Sequence, residues 1–251
     1  MESGWDLWQG RDMQMAIKDP IDISILASCP QVSLCSYNVK DQNSIFDQEL
    51  RDISCHVSPV ISTWLYRSEI LWKEISSYDA DIFCFQEMND FDHWKRLLSI
   101  SGYEAVYHAK QNTLTTGVLI AYRRDLFQLS ASLVVDLNDL GNIIQDEKVA
   151  EKAGRSDQVA LLALLQPTTL EFPTALCIVT STLSNDDKMD VLRMHQIRYI
   201  VSSIEKFNAD FQVPVLWCGS FYISPGSEAY HTILTGEKRP GKNKDGDFRN
   251  V

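Results

Sequence analysis

The sequence lacks the cysteine spacing of a metal site, the apolar run of a membrane span and the signal peptide of a secreted protein. Its six cysteines form no C-x-x-C pair and show no ligand-like spacing with histidine. No apolar run approaches the ~20 residues of a membrane span, and no secretory signal peptide is recognised. Four cysteines, Cys35, Cys84, Cys177 and Cys218, lie inside apolar runs, where a thiol acts as a small core hydrophobe. We therefore expect a soluble, reduced protein of the cytoplasm or the nucleus, with no membrane partner.

Positive charge is also scarce. The chain has 23 Lys and Arg against 34 Asp and Glu, a net charge of −11. Proteins that bind nucleic acid usually carry a basic patch that neutralises phosphates, so RNA is an unexpected partner, although a local basic groove stays open as an alternative. The 251 residues, 45% of them hydrophobic, are enough for a large core.

Hydrophobic periodicity predicts alternating strands and helices. Apolar runs predict strands at 31–37, 81–85, 118–122, 159–165, 176–179 and 215–218, and helical spacing predicts helices at 62–78, 91–98 and 189–207. Several strands follow one another without a helix between them. This mixture predicts an α/β fold, a four-layer sandwich of two mixed sheets with outer helices. The polar segment 136–158 reads as a long surface excursion, and Arg193 as a solvent-facing position of the last helix.

The predicted domain covers residues 31–235. Residues 1–30 read as an N-terminal extension. Residues 236–251 are rich in Gly and Lys, have no apolar period and are predicted to form a disordered polar tail.

Several sequence blocks occur in a characteristic order. They are Ser36-Tyr37-Asn38, YRSEILWKEISSYDADIFCFQEM at 66–88, DQVALLALLQP at 157–167, the segment 189–196, and CGSFYISPGSEAYHTILTG at 218–236. Together they make the chain resemble the endonuclease/exonuclease/phosphatase superfamily, most closely the Angel branch of the deadenylase-like proteins. The resemblance extends from about residue 32 to residue 236.

This resemblance implies a Mg²⁺-dependent hydrolase that cleaves a phosphoester, commonly at the 3′ side of RNA. Glu87 matches the family's metal-binding glutamate, and Asn38 matches its metal-proximal asparagine, which can also contact substrate. Mg²⁺ prefers such oxygen ligands. Taken alone, Asn38 reads equally as a turn residue at a strand end, and Glu87 as a solvated charge in a loop.

The other family positions are substituted in this sequence. Thr116 stands where the family has an aspartate before the middle strand, and Thr182 stands for a histidine that contacts the scissile phosphate. Ser220 and Tyr222 replace a catalytic aspartate and a phosphate-binding asparagine. The family's final Ser-Asp-His would fall beyond Val251, so the last strand is predicted to be missing.

These substitutions leave three hypotheses. The chain is a non-catalytic accessory or interaction protein, with a partner at the incomplete sheet edge. Alternatively, it is a residual Mg²⁺-dependent RNA exonuclease or phosphatase acting through Glu87 and Asn38. The third reading is a truncated product of a longer gene. We favour the first, with no intact catalytic group and with Mg²⁺ as the metal if any is bound.

Overall fold

The computed structural model describes residues 30–42, 60–112, 115–169, 172, 174–186 and 189–235. Residues 1–29 of the predicted extension and all of the predicted tail lie outside the described residues. The prediction that the family's last strand is missing concerns the end of the chain, which is also outside them. The described residues from Val32 onward belong to one compact unit. None of the described helices is long and apolar enough to cross a membrane.

Two four-stranded sheets form the frame of the fold. The first contains β1 (Leu34–Asn38), β2 (Ile82–Asn89), β3 (Tyr103–Ala109) and β4 (Thr116–Arg123), in the order β1-β2-β4-β3. The second contains β5 (Phe127–Asp136), β6 (Val159–Pro167), β7 (Leu176–Thr182) and β8 (Val215–Ser220), in sequence order. Each sheet has one parallel pair, β1/β2 or β7/β8, and is otherwise antiparallel. Both sheets are therefore mixed, as predicted.

The helices complete the layers. They are α1 (Trp64–Ser77), α2 (Phe91–Ile100), α3 (Glu147–Gly154), α4 (Asp190–Asn208) and α5 (Glu228–Thr235), and a 3₁₀ helix spans Leu137–Asn142. Ile75 of α1 and Trp94 of α2 pack on the outer face of the first sheet. Ile197 and Ile200 of α4 pack on the outer face of the second sheet. The predicted four-layer sandwich is confirmed.

Alternation along the strands separates the core into layers. In β2, Phe83 and Phe85 face the helices, whereas Ile82 and Cys84 face the second sheet. Because both faces are covered, every residue of β2 is buried, as a continuous apolar run predicts. This arrangement fixes which polar side chains of the same strand point between the sheets.

Two sequence interpretations were wrong. Segment 136–158 is not a surface excursion, because it forms the 3₁₀ helix and α3 and buries Leu137, Leu140 and Ala153. Arg193 does not face solvent, since only 2% of it is exposed. Its guanidinium donates to the carbonyl of Ser184 at 2.9 Å and pairs with Asp190 at 2.6 Å. Arg193 thus ties the loop after β7 to the start of α4.

Candidate active site

The polar residues of the candidate site lie where strands of the two sheets end next to each other. Asn38 is the last residue of β1, and Ser220 is the last residue of β8. Asn38 pairs in register with Gln86 of β2, so Glu87 is the next residue along that strand. Four of the six predicted site residues, Asn38, Glu87, Ser220 and Tyr222, are joined here by direct hydrogen bonds.

Glu87 is a buried strand residue, and the interpretation as a solvated loop charge was wrong. Only 4% of it is exposed. The pairing of β2 with β4 is irregular between Phe85 and Met88, and Glu87 has a φ of 52° there. A non-glycine residue in this region is uncommon and is kept there by its surroundings. The bulge therefore directs the carboxylate away from the regular ladder and towards Asn38.

One oxygen of Glu87 is occupied by the protein's own donors. The Asn38 side-chain amide donates to Glu87 Oε1 at 2.9 Å and to Ser220 Oγ at 2.7 Å. The Tyr222 hydroxyl donates to the same Glu87 Oε1 at 2.7 Å. Burial and the hydrogen bond to Glu87 raise the pKa of Tyr222 above its ordinary value. Tyr222 is therefore a neutral donor at physiological pH.

A lysine that sequence reasoning missed stands beside the other oxygen. Lys40 Nζ lies 3.8 Å from Glu87 Oε2, and its backbone N–H donates to Asn38 Oδ1 at 2.8 Å. Arg67 supports this turn by donating to the carbonyls of Val39 at 2.6 Å and Lys40 at 2.8 Å. The turn interpretation of Asn38 is thus correct alongside its site contacts. The only available sequence signal for Lys40 was its position two residues after Asn38.

Thr182 also borders the site. It pairs in register with Ser220, only 1% of it is exposed, and its hydroxyl oxygen has no hydrogen-bond partner among the described residues. Thr116 lies one strand away, buried, and its hydroxyl accepts from Asn89 Nδ2 at 3.3 Å. The structure therefore places Thr182 at the site, while the printed contacts of Thr116 link it to the end of β2.

The described side chains supply at most part of a Mg²⁺ site. The feature in favour is Glu87 Oε2, which is buried and accepts no hydrogen bond from the described residues. Against it, the Lys40 ammonium group lies 3.8 Å from that oxygen, and Asn38 Oδ1 accepts a backbone N–H. Across the described ranges, no group of three or more His, Cys, Asp and Glu side chains could hold a metal ion. Lys40 places a positive charge beside Glu87 Oε2.

The fold and the order of the strands can now be compared with known proteins. The sequence profile of the Endonuclease/Exonuclease/phosphatase family matches residues 36–250. The chain belongs to this family. Family members are generally Mg²⁺-dependent, and the relationship is consistent with Mg²⁺ as the metal if one is bound.

Named relatives are of the Angel and CCR4 types. The chain is 28% identical to mouse protein angel homolog 1, over 82% of this chain and 31% of that protein. It is 25% identical to carbon catabolite repressor protein 4 homolog 2 of Arabidopsis thaliana, over 86% of this chain and 39% of that protein. The present chain thus spans about a third of the length of these curated relatives. The predicted Angel-like, deadenylase-like relationship is confirmed.

A solved structure supports the same fold. The present chain superposes with a TM-score of 0.68 on the crystal structure of ANGEL2, a 2′,3′-cyclic phosphatase, in complex with adenosine-2′,3′-vanadate. The two are 25% identical, over 80% of this chain and 56% of that chain.

Proposed function

We propose that this chain is a catalytically degenerate Angel-like phosphoesterase, serving as a non-catalytic interaction or accessory protein in RNA metabolism. The observation that carries the proposal is the engagement of Glu87 by Asn38, Tyr222 and Lys40. A carboxylate that accepts two hydrogen bonds and neighbours an ammonium group is compensated without a metal ion. Its charge is used to hold β1, β2 and the segment after β8 together.

The substitutions also remove the groups that phosphoester hydrolysis needs. A positioned acid or base contributes roughly 10²–10⁴ in rate. Thr182 and Ser220 carry hydroxyls, which cannot act as a base near neutral pH without a partner. Tyr222 is held neutral and points at a carboxylate. These residues can bind and stabilise, but they offer no activated nucleophile.

The interaction role draws on the strands at the edges of the sheets. β1 and β8 are edge strands of the described sheets. At the start of β8, Val215 and Leu216 are 37% and 41% exposed, in contrast to the buried β7 beside it. A partner that adds a strand at this edge would cover both backbone and apolar groups. We expect fast amide hydrogen exchange along β8 in the isolated protein. A co-purifying partner should slow that exchange.

The test of the main proposal combines metal binding with activity. The full chain is titrated with Mg²⁺ by calorimetry and assayed on RNA ending in a 2′,3′-cyclic phosphate and on RNA with a 3′ hydroxyl. We expect no saturable binding and no turnover above that of Glu87→Ala. The variant Glu205→Ala, which changes an exposed carboxylate on α4, controls for the loss of one charge.

A second candidate function is residual Mg²⁺-dependent hydrolysis of RNA ends. It is favoured by the buried Glu87 Oε2, which accepts no hydrogen bond from the described residues. Magnesium-dependent turnover that Glu87→Ala abolishes and Glu205→Ala preserves would establish this function and overturn the main proposal. The double variant Ser220→Asp with Tyr222→Asn returns the family residues and should increase Mg²⁺ affinity.

A further inference from the structure

Two thiols from different sheets meet next to the candidate site. Cys84 of β2 and Cys218 of β8 both point into the core between the sheets. The two thiols lie close enough for each to shift the pKa of the other, in a region where Cα atoms of β2 and β8 come within 8 Å of each other. Disulfide-bonded cysteines have Cα atoms about 4.4–6.8 Å apart, a separation that strands packed within 8 Å of each other can reach.

Hydrogen bonds between the sheets hold this region in register. Gln86 Nε2 of β2 donates to Thr180 Oγ1 of β7 at 3.0 Å, and Asn38 of β1 donates to Ser220 of β8 at 2.7 Å. Cys84 lies two residues before Gln86, and Cys218 lies two residues before Ser220. Because inward side chains alternate along a strand, the thiols occupy the next inward positions of the same strands.

We propose that Cys84 and Cys218 are an oxidation site, at which hydrogen peroxide converts the two thiols into a disulfide that joins the two sheets. The Cys218 sulfur attacks one peroxide oxygen, the O–O bond breaks, and a sulfenic acid forms with release of water. The Cys84 sulfur then attacks the Cys218 sulfur, the S–O bond breaks, and a second water leaves. Two thiols are oxidised and one hydrogen peroxide is reduced.

The environment assigns the two roles. Cys218 is half-buried and Cys84 is buried, so peroxide reaches Cys218 first. Hydrogen bonds from Cys84 and Ser36 lower the pKa of Cys218, and the same contact together with burial raises the pKa of Cys84. The thiolate is the reactive form, so Cys218 is the attacking group and Cys84 the resolving group.

The test is a peptide map of the reduced full chain after brief exposure to hydrogen peroxide and alkylation of the remaining thiols. Trypsin releases Cys84 in peptide 74–95 and Cys218 in peptide 207–238, each with a single cysteine. We expect these peptides linked, at a mass two hydrogen atoms below their sum, and unlinked after reduction. A link from either one to peptide 19–40, which contains Cys29 and Cys35, or two fully alkylated peptides, would overturn the proposal.

Single-cysteine variants test which thiol attacks the peroxide and which one resolves the sulfenic acid. The linked peptides from the unmodified sequence test the disulfide itself. Cys84→Ser should leave a sulfenic acid at Cys218 that dimedone labels, whereas Cys218→Ser should leave Cys84 as a thiol. Cys177→Ser is the matched control, because Cys177 is equally buried in β7 but faces α4 rather than the first sheet. It should leave the linked fraction unchanged. Equal dimedone labelling of Cys84 and Cys218 would contradict the assigned order.

Discussion

Removing the hydroxyl of Tyr222 measures how much its hydrogen bond to Glu87 contributes to the free energy of unfolding. Tyr222→Phe removes only the donor to Glu87 Oε1, which lies 2.7 Å away. A hydrogen bond to a charged group contributes roughly 1.5–3 kcal/mol. Because Tyr222 is 38% exposed while Glu87 is 4% exposed, the lower end applies. We expect a loss of about 1.5 kcal/mol in the free energy of unfolding, a fall in Tm of about 3–6 °C.

Urea unfolding measures this loss, with the slope m expected to stay unchanged. Tyr230→Phe is the matched control, because Tyr230 is also 38% exposed and lies on α5. In a double-mutant cycle, Tyr222→Phe should cost much less in the Glu87→Gln background, since the carboxylate charge is then absent. If Tyr222→Phe costs no more than Tyr230→Phe, the hydroxyl is exchanging with water and the site is not closed by it.

Three further predictions concern the frame around the site. Thr182→Val should raise the free energy of unfolding by about 1 kcal/mol, because it removes a buried, unpartnered hydroxyl. Thr180→Val should instead lower the free energy of unfolding, because the Thr180 hydroxyl accepts a hydrogen bond from Gln86. Equal effects of the two variants in urea unfolding would refute this difference between the two hydroxyls. Gly117→Ala should cost at least about 2 kcal/mol, because its Cβ would lie 2.1 Å from the His108 carbonyl oxygen. Gly154→Ala, whose Cβ would have 3.8 Å to its nearest neighbour, should be close to neutral in the same assay. Finally, burial and the Glu104 hydrogen bond raise the pKa of Tyr122 from 10.0 to about 12, so the unfolded chain loses that proton first. This stabilisation is complete below about pH 10 and lost as pH rises towards 12, and an identical loss in Tyr122→Phe over that window would contradict it.

Local patterns predicted the elements with strong periodicity. The helix over 62–78 and the strand at 81–85 are confirmed. The strands β3 and β5 were not predicted. β5 is an edge strand with mostly exposed residues, although FQLSASL at its start alternates apolar and polar residues as a half-buried strand does.

The sequence by itself determined the family and the layered fold, and it singled out Asn38, Glu87, Ser220 and Tyr222, because these depend on the order of blocks along the chain. It could not show that Glu87 is buried, since an irregular β2–β4 pairing turns that residue. It also could not find Lys40 at Glu87, nor Cys84 beside Cys218, which lie far apart in the chain. Those contacts depend on how two sheets pack and how strand ends turn, and only the tertiary structure decides them.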